Sequence, residues 1–532
     1  MTIIVLHATI LFLAFTVTIL LFKKITTTST LPPKSCLPPG PKPWPIIGNI
    51  SILMRNTPFF QWVHDTMSKM GYEIFCIRLG SVHVIVVTSP EIACEFLKKQ
   101  DAIFVSRPTF LSAELVSGGF STTIFTSFGD QWRKMRRVLV SNILSPETLH
   151  WMHDKRAVEA DHLINYVYNV IQSNLDDSVN VRVVAQHFCG NMIRNMIFSK
   201  RFFGKGTENG GPGVEEEQHL DGIFTILKCV YNFCISDYFP FLRGRIDLDG
   251  NEKRTRQAVE SVRKYQDPEI DMRIKQWQEG TKKEKDDLLD VLVTLKDDQG
   301  NTLLTSEEIK AQILEIMVAA VDNPSNAIEW ILGEMINQPE ILVKAVQELD
   351  QVVGKNRFVH ESDLDNLNYI KACVKESFRL HPMAAFNVPH VSICHTMVAG
   401  YFIPKGSHVL LSRLGLGRNS KIWDEPLRFN PERHLKNDGS HVILNDQDLH
   451  ILSFSIGRRG CPAVNLGTTM SIMLLARLLQ GFTWSPPPNT TCIKLVEAIH
   501  EMTLSQPLLA FARPRLDERL YTSLNKCKAM DN

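Results

Sequence analysis

The sequence predicts a mainly α-helical chain with small β-sheets, folded as one large domain behind an N-terminal transmembrane helix. Three observations predict this architecture: an uncharged apolar run at the N-terminus, helical periodicity through most of the chain, and two short β-rich runs near its ends. The 532 residues are 44% hydrophobic and 22% charged, which is typical of a globular protein with a large core. The near balance of 58 Lys+Arg with 57 Asp+Glu argues against nucleic acid as a partner.

The apolar run at the N-terminus predicts a membrane anchor. Residues 1–22 contain no Lys, Arg, Asp or Glu, and about 20 apolar residues suffice to cross a bilayer. Lys23 and Lys24 follow directly, so the positive-inside rule places the rest of the chain in the cytosol. A cleaved signal peptide is the alternative, but its basic leading segment and small-residue cleavage site are not evident. We therefore expect a single-pass protein whose two glycosylation sequons, at Asn49 and Asn489, stay unmodified.

A proline-rich segment follows the anchor. Residues 23–45 include several prolines, which fix φ and remove backbone donors, and this composition predicts a stiff linker or hinge. Residues 46–532 then form the main domain. The chain's eleven cysteines form no Cys-x-x-Cys pair, which favours reduced thiols over a disulfide framework.

Two β-rich runs predict hairpins near the two ends of the domain. Residues 73–87 place β-formers on both sides of Gly80 and Ser81, and residues 397–411 are expected to turn at residues 404–406. Residues 204–217 are rich in glycine and charge, which is typical of a surface loop. The chain between the hairpins is expected to be mostly helical.

The longest predicted helix starts at Thr305 and continues to Ile336. Thr305 and Glu308 have the spacing of a capping box, in which each side chain accepts a hydrogen bond from the other residue's backbone N–H. Pro324 lies inside this helix, where proline removes one backbone hydrogen bond and causes a kink. Such a kink frees backbone groups and leaves room for a water or a ligand. The alternative is two helices with a break between them.

A second helix is predicted over residues 367–380, where apolar residues recur at helical spacing until just before Pro382. Glu376 and Arg379 lie three residues apart on it. By itself this spacing is typical of a surface salt bridge that contributes little stability.

One cysteine lies in a sequence that favours the thiolate form. Gly457 and Gly460 precede Cys461 closely, and glycine permits tight turns that aim backbone N–H groups at the sulfur. The positive charge of Arg459 is expected to add to this effect. A lone thiolate suits neither zinc nor a protease, but it suits an axial ligand of haem iron. The residue types alone leave a buried structural cysteine and a phosphate-binding turn as alternatives.

The run from Phe454 to Ala463 resembles the haem-binding signature of the cytochrome P450 family, Phe-x-x-Gly-x-Arg-x-Cys-x-Gly, and departs from it only at Ala463. Other motifs of this family follow in the same order along the chain, from about residue 38 onward. They are a proline-rich hinge, a Trp-x-x-x-Arg pair, a Glu-x-x-Arg helix and a later arginine of a buried charge cluster, here residues 38–41, Trp132 with Arg136, Glu376 with Arg379, and Arg433.

The resemblance implies a single P450 domain tethered to the endoplasmic reticulum membrane. It implies haem b with Cys461 as the axial ligand of the iron, O₂ as co-substrate, and electrons from NADPH delivered by a separate NADPH–cytochrome P450 reductase. The residues that it implies as contacts of the haem propionates are Trp132, Arg136, His390 and Arg459. His390 stands where arginine is more common in the family.

The long helix departs from the family's pattern. Most members have Ala/Gly-Gly-x-Asp/Glu-Thr-Thr there, with a threonine that helps to deliver protons to dioxygen. Asp322 matches the acid of this motif, but Asn323 replaces the threonine, and an amide is no hydroxyl proton relay. Together with Pro324, the run Phe-Asn-Val-Pro-His at 386–390 and His434, Asn323 resembles the plant amino-acid N-monooxygenases that form aldoximes. Asp322 and Asn323 are therefore the catalytic candidates.

This subgroup implies that the α-amino group of an amino acid is hydroxylated twice, and that dehydration and decarboxylation then yield an aldoxime and CO₂. The charged groups of such a substrate need polar partners in an apolar pocket. Candidates for this role are Asn323, Asn387 and Arg107, although a structural salt bridge is the expected role of Arg107. Candidates for the apolar wall are Phe125, Met383 and Phe386, and candidates for a basic face that docks the reductase are Lys134, Arg458 and Arg459.

Three alternatives remain open. A carbon hydroxylase of a plant secondary metabolite would use the same fold and cofactors. An O₂-independent haem-thiolate enzyme that rearranges peroxides would need neither reductase nor NADPH, and a non-catalytic module would bind amino acids without consuming NADPH. An aldoxime product would belong to plant secondary metabolism, such as the biosynthesis of cyanogenic glucosides or glucosinolates. The sequence leaves open whether the amino acid is aromatic or aliphatic.

Overall fold

The computed structural model describes residues 36–173, 178–436, 439–445 and 447–527, together with Thr16. The expected anchor at residues 1–22 lies outside these ranges apart from Thr16, as does the linker up to residue 35. Within the described ranges, no helix is both long and apolar enough to span a membrane.

Helices make up most of the described chain, as predicted. They are α1 (Ile50–Arg55), α2 (Phe59–Met70), α3 (Pro90–Cys94), α4 (Leu111–Val116), α5 (Asp130–Val138), α6 (Pro146–Trp151), α7 (His153–Ser173), α8 (Val181–Phe198), α9 (Val214–Tyr231), α10 (Ile235–Tyr238), α11 (Asn251–Gln278), α12 (Leu288–Thr294), α13 (Ser306–Asn337), α14 (Pro339–Val352), α15 (Asn368–Leu380), α16 (Arg413–Gly417), α17 (Val464–Gly481) and α18 (Glu518–Cys527). Short π-helical turns follow α3 and α5 at Glu95–Lys99 and Leu139–Ile143, and 3₁₀ turns lie at Pro240–Leu242, Glu361–Asn366 and Pro431–His434.

The strands form three small sheets. The strands are β1 (Ile74–Leu79), β2 (Val82–Val87), β3 (Ser178–Asn180), β4 (His390–Val391), β5 (Thr396–Val398), β6 (Tyr401–Ile403), β7 (His408–Leu411), β8 (Phe482–Ser485) and β9 (Leu509–Pro514). They are ordered β1-β2-β7-β4, β3-β9-β8 and β5-β6. The hairpin predicted over residues 73–87 is confirmed as β1 and β2, which pair antiparallel.

The second predicted hairpin has its turn at a different position from the expected residues 404–406. β5 and β6 pair with each other across Ala399 and Gly400, whose φ values of 50° and 80° are the left-handed values that two-residue hairpin turns favour. Residues 404–406 do not join paired strands, because β7 lies between β2, which is parallel to it, and β4. The partners of β7 are distant in sequence, so the local pattern could not indicate them.

The surface loop predicted over residues 204–217 ends earlier than expected, because α9 begins at Val214. The first turn of α9 carries Glu215, Glu216 and Glu217. Carboxylates are favoured there by the positive end of the helix dipole. The acidic residues that indicated a loop therefore mark the start of a helix.

The long helix α13 lies at the centre of the domain. Its 32 residues begin with the predicted capping box between Thr305 and Glu308. The helix continues without a break through Pro324, so the two-helix alternative is wrong. It packs against α8, α11, α15 and α17. Burial of most of its length in these contacts compensates for the hydrogen bond that the proline removes.

Glu376 and Arg379 on α15 form a buried charge cluster rather than a surface pair, and both side chains are 0% exposed. The Glu376 carboxylate accepts hydrogen bonds from Arg379 at 2.7 and 2.8 Å, from Arg433 at 3.1 Å and from His434 at 2.8 Å. Burial alone raises the pKa of Glu376, but the hydrogen bonds from Arg379 and His434 outweigh it and lower the pKa to about 2. The buried charge cluster that the family resemblance implied is thus present.

The described part of the predicted linker is bound to the domain. Residues 36–43 form neither helix nor strand, and the carbonyl of Pro39 accepts a hydrogen bond of 2.8 Å from the N–H of Cys76 on β1. Gly40 approaches β1 so closely that a Cβ would lie 1.7 Å from the carbonyl oxygen of Cys76. Only glycine can be accommodated at this position.

We expect acid to destabilise the protein through Glu376. In the folded protein the pKa of Glu376 is about 2, below the usual 4.5. As the pH falls, the Glu376 carboxyl is therefore protonated in the unfolded chain before it is protonated in the folded protein. A stabilisation of about 3 kcal/mol is therefore fully present above about pH 4.5 and is lost progressively toward pH 2. Glu376→Gln removes this dependence and, by leaving buried guanidinium groups without their anion, costs about 3–5 kcal/mol at neutral pH. Urea unfolding followed by circular dichroism at several pH values measures both effects.

The matched control is Glu432→Gln, because Glu432 is half-exposed and pairs with Lys344 at the surface. It should change stability by less than about 1 kcal/mol. The prediction fails if wild type and Glu376→Gln lose stability in parallel as the pH falls.

Candidate functional site

A deep cavity lies beside α13 and is closed by α5, the end of α15 and the loop that precedes α17. Its walls are mostly apolar. The sequence-predicted residues that the structure brings together on these walls are Arg107, Trp132, Arg136, Asn323, Asn387, His390, Arg459 and Cys461. These residues are spread over more than half of the chain, so the fold alone assembles them.

Cys461 lies on a tight loop just before α17. Its N–H donates to the carbonyl of Phe454 at 2.8 Å, and the N–H of Gly460 donates to the carbonyl of Gly457 at 3.0 Å. Gly457 has a φ of 74°, and a Cβ there would lie 2.8 Å from a backbone carbonyl of the neighbouring segment, so the turn requires glycine. The N–H of Ala463 donates to the Cys461 sulfur, so the loop aims one backbone donor at it where several were expected. Ala463 itself has a φ of −99°, so its departure from glycine causes no strain.

The charges near the sulfur differ from those expected. Burial raises the pKa of the Cys461 thiol above its usual value, and the N–H of Ala463 together with Arg136 and Arg413 offsets this only partly. Arg459, which was expected to promote the thiolate, is not among the charges that act on the sulfur, and its guanidinium lies 4.5 Å from the ring centroid of Trp132. The thiolate therefore needs more positive charge than the chain supplies, and a bound metal ion would provide it.

Four basic side chains form one wall of the cavity, hereafter the basic wall: Arg107, Arg136, His390 and Arg459. Within the described chain their hydrogen bonds go to backbone carbonyls, and none of them forms an ion pair with a carboxylate. Burial, Arg107 and Arg136 together lower the pKa of Arg459 to about 8. Burial, Arg107 and Arg459 lower the pKa of His390 well below its usual value. Glu315 and Asp101 act on Arg459 in the opposite direction but do not prevent this shift. Buried guanidinium groups that lack a carboxylate at ion-pair distance call for an anion.

Arg107 was expected to form a structural salt bridge, and this prediction is wrong. Its guanidinium donates to the carbonyls of Ile124, Val388 and Pro389 at 3.3, 2.7 and 3.0 Å. These bonds hold it beside the rest of the basic wall, where burial lowers its pKa to about 9. We therefore assign Arg107 to the basic wall rather than to substrate binding.

Trp132 lies against the basic wall with an unsatisfied donor. The side chain is buried, and within the described residues its indole N–H has no acceptor, although a buried indole N–H usually has one. Haem b fits this set of groups. Its iron can take the Cys461 sulfur as a ligand, its two propionate carboxylates match the basic wall and the Trp132 N–H, and its faces match the apolar walls.

Asn323 faces the cavity from the middle of α13. Its Nδ2 donates to the carbonyl of Ala319 at 3.0 Å, which leaves its Oδ1 as an acceptor on the cavity side. Pro324 has no N–H, so the carbonyl of Ala320, which also lines the cavity, lacks its usual helical donor. This part of the wall therefore offers acceptors to a ligand that carries N–H groups.

Asp322, the other catalytic candidate, is buried but does not line the cavity. Burial and the charge of Glu501 raise the pKa of Asp322 to about 7, although Arg413 opposes them. Near neutral pH its carboxyl can therefore either donate or accept a proton. A catalytic role for Asp322 stays a prediction.

The apolar wall is confirmed for two of its three candidates. Phe125 and Met383 line the cavity. Phe386 does not, because its ring packs against Phe59 and His64 at centroid distances of 6.1 and 5.4 Å. The alternation of side chains along an extended segment explains this, since the neighbouring Asn387 then faces the cavity.

The prediction of a basic face that docks the reductase is wrong for Arg459. Arg459 is buried and belongs to the basic wall, so it cannot contact a partner protein. Arg458 is half-exposed and lies 3.5 Å from Asp101, and Lys134 pairs with Glu308 at 2.8 Å. Docking of a reductase by Arg458 and Lys134 stays a prediction.

Several polar cavity residues were not identified from the sequence, and two of them are Arg413 and Tyr231. Arg413 is the first residue of α16, and its Nε donates to Oδ1 of Asn387 at 2.7 Å. Tyr231 ends α9 and also lines the cavity. Neither belongs to a motif with a chemical signature, so only the tertiary structure could place them at the site.

Comparison with known sequences matches most of the chain to one family. Residues 38–509 match the family profile described as Cytochrome P450. The chain is 54% identical to tyrosine N-monooxygenase from Sorghum bicolor over 491 residues, which cover 92% of this chain and 88% of that protein. It is 56% identical to valine N-monooxygenase 2 from Manihot esculenta over 485 residues, which cover 91% of this chain and 89% of that protein.

Comparison with solved structures agrees with the fold. A zebra fish cytochrome P450 solved with progesterone superposes with a TM-score of 0.70. The match covers 86% of this chain and 100% of that structure at 21% sequence identity. At this identity the similarity concerns the fold alone.

Trp132→Phe should weaken haem retention. The substitution keeps an aromatic ring beneath Arg459 but removes the orphaned N–H, and a hydrogen bond to a charged acceptor contributes about 1.5–3 kcal/mol. We expect haem to be lost roughly 10- to 100-fold faster, measured by transfer of haem from the purified protein to an excess of apomyoglobin. Trp151→Phe, at a half-exposed tryptophan, is the matched control and should not change the rate.

Cys461→Ala is the control for complete loss of haem, since it removes the iron ligand and should yield protein without haem pigment. Cys394→Ala, at an exposed cysteine, should retain it. If Trp132→Phe releases haem at the wild-type rate, the indole N–H does not contact a propionate.

Proposed function

Because the chain belongs to the cytochrome P450 family, we propose that it is a haem-thiolate monooxygenase that converts an α-amino acid into its aldoxime. One observation carries the proposal: Asn323 and the carbonyl of Ala320, which has no N–H opposite it at Pro324, present hydrogen-bond acceptors to the cavity that also contains Cys461. The nitrogen of an amino acid carries N–H donors for these acceptors, whereas a C–H group donates only weakly. The arrangement favours nitrogen over carbon as the atom that reacts.

The residues of the site have separate roles. Cys461 would ligate the haem iron, and the basic wall with Trp132 would hold the haem carboxylates. Haem bound by a thiolate supplies the activation of O₂ with electrons that originate on NADPH. Arg136 also donates to the carbonyl of Gly460 at 2.9 Å, so α5 fixes the loop that carries the cysteine.

Asn323 orients the amine of the substrate. Its hydrogen bond to Ala319 prevents the amide from turning, so Oδ1 stays available to accept a hydrogen bond from the substrate nitrogen. After the first N-hydroxylation the nitrogen still carries an N–H, and Asn323 can hold the N-hydroxy amino acid in the same pose for the second. The apolar walls exclude water from the reacting nitrogen and strengthen these hydrogen bonds.

The side chain of the substrate meets an apolar surface formed in part by Phe125, Ile316 and Met383. This surface suits aromatic and aliphatic side chains equally. The two similar proteins are named for tyrosine and for valine, at 54% and 56% identity, so sequence similarity does not favour either class. A screen of the standard amino acids is the direct way to identify the substrate.

The proposal includes a separate NADPH–cytochrome P450 reductase as electron donor and a location on the cytosolic face of the endoplasmic reticulum membrane. The uncharged residues 1–22, followed by Lys23 and Lys24, support this topology. The sequon at Asn489 is exposed, so it would be glycosylated if the domain entered the lumen. A loss of mass on glycosidase treatment would contradict the topology.

Oxime formation tests the function. The full-length protein, reconstituted with a plant reductase and NADPH, should convert at least one of the standard amino acids into its aldoxime with release of CO₂, detected by mass spectrometry. Omission of NADPH should stop the reaction, whereas turnover without NADPH would favour an O₂-independent rearrangement. A protein that hydroxylates carbon and forms no oxime from any amino acid would overturn the proposal.

Asn323→Thr tests the role of the amide. Threonine is shorter and cannot keep an acceptor at the position of Oδ1, so we expect oxime formation to fall about tenfold or more, at unchanged haem content. Ser325→Ala is the control, because Ser325 bonds to the carbonyl of Val321 at 2.7 Å and does not line the cavity. Equal oxime formation by wild type and Asn323→Thr would remove Asn323 from the mechanism.

A further inference from the structure

A second polar site lies in the cavity apart from the basic wall. Ser412 alone separates Arg413 from the end of β7. The N–H of Arg413 donates to the carbonyl of Ala385 at 3.0 Å, which fixes its backbone. Its side chain enters the cavity, where Nε donates to Oδ1 of Asn387 at 2.7 Å and Nη2 to the carbonyl of Ser453 at 3.3 Å. Arg413 and Asn387 therefore form one fixed unit on the cavity wall.

This unit has donors without acceptors. Within the described chain, Nη1 of Arg413 has no hydrogen-bond partner, and no carboxylate lies within ion-pair distance of the guanidinium. Because Oδ1 of Asn387 is occupied by Arg413, the amide presents its Nδ2 as a further donor, and this group also lacks a partner among the described residues. A guanidinium left beside an apolar wall with free donors is costly unless an anion binds to it.

The anion that fits is distinct from the haem propionates. Arg413 donates to Asn387 and Ser453, whereas the arginines of the basic wall donate to other partners. Tyr231 and Cys461 act on Arg413 as they do on Arg107 and Arg136, but Asp322, the neighbour of Asn323, acts on Arg413 as well. Arg413 therefore lies near both the iron ligand and the segment that carries Asn323. A carboxylate offers two acceptor oxygens, which match the planar guanidinium and an adjacent amide N–H.

We infer that Arg413, aligned by Asn387, binds the α-carboxylate of the amino-acid substrate. The inference rests on the proposed function and assigns the second charged group of the same substrate. The amine is held by Asn323 on α13 and the carboxylate by Arg413 on α16, so the zwitterion is bound at both ends. A ligand without a carboxylate leaves the guanidinium buried and unpaired, so the site discriminates against it.

The test compares ligands that differ only in the carboxylate. The probes are the amino acid that the wild-type holoenzyme converts fastest in the screen, its carboxamide and its decarboxylated amine, and binding is followed by the shift of the haem absorption spectrum. Arg413→Gln should raise the Kd and KM for the amino acid about tenfold or more. It should change the Kd of the carboxamide and of the amine by less than about twofold.

Two further variants keep the inference testable if Arg413→Gln fails to incorporate haem. Asn387→Asp leaves Arg413 in place but pairs it with a new carboxylate, so it should weaken amino-acid binding in the same selective way. Arg413→Lys retains the charge but not the planar fork, so it should fall between wild type and Arg413→Gln. Arg256→Gln, at an exposed arginine paired with Glu252, is the control and should behave as wild type.

The outcomes separate this inference from the proposed function. If wild type forms an oxime and the variants keep the wild-type ratio of Kd values for amino acid and carboxamide, Arg413 is structural and only this inference is overturned. If wild type forms no oxime from any amino acid, the proposed function fails and this assignment fails with it. A selective loss of amino-acid binding in both Arg413→Gln and Asn387→Asp supports it.

Discussion

Charge that is buried in a protein must be neutralised, and this chain satisfies that constraint in two opposite ways. Around Glu376 the chain supplies both signs, since Arg379, Arg433 and His434 donate to one carboxylate. Along the cavity the guanidinium groups of the basic wall have no carboxylate at ion-pair distance among the described residues, and they donate to backbone carbonyls. The first cluster is complete in the protein alone and holds α15 against the following segment. The second is complete only with an anionic ligand, which explains why the fold is built around a cofactor with two carboxylates.

The polar groups of the cavity require hydrogen-bonding partners on the ligand, whereas its apolar wall accepts different side chains. Asn323 and Arg413 face the cavity from two different helices, and each leaves hydrogen-bonding capacity unused within the described chain. A hydrocarbon would leave both groups unpaired, at a cost in binding that apolar contacts do not recover. The wall near Phe125 and Met383 carries no such requirement. This division allows a conserved reaction on the amino-acid backbone while side-chain preference varies, as it does between the tyrosine and valine enzymes that are similar to this chain.

Sequence reasoning succeeded where the determining contacts are local. The capping box of α13 joins Thr305 to Glu308, and Trp132 and Arg136 share one face of α5 because four residues separate them. The glycines before Cys461 predicted a turn that carries a backbone donor to the sulfur. Sequence reasoning failed where the contact partner is distant in the chain. The salt bridge expected for Arg107, the wall position expected for Phe386 and the surface role expected for Arg459 all depended on which element packs against the residue. The turn expected at residues 404–406 failed for the same reason, because β7 pairs with strands from elsewhere in the chain.

The sequence by itself determined the helical class, the central helix with its internal proline, the cysteine that suits haem iron and the replacement of the usual threonine by Asn323. The class and the helix follow from residues within a few positions of one another, whose geometry the backbone sets, whereas the cysteine and the replaced threonine were recognised from motifs that resemble those of the P450 family. Only the tertiary structure decided that four basic groups share one wall, that Trp132 keeps a free N–H beside them, and that Arg413 joins Asn387 at the cavity. These contacts join residues far apart in the chain, and their partners depend on how whole helices and strands pack, which no local pattern encodes.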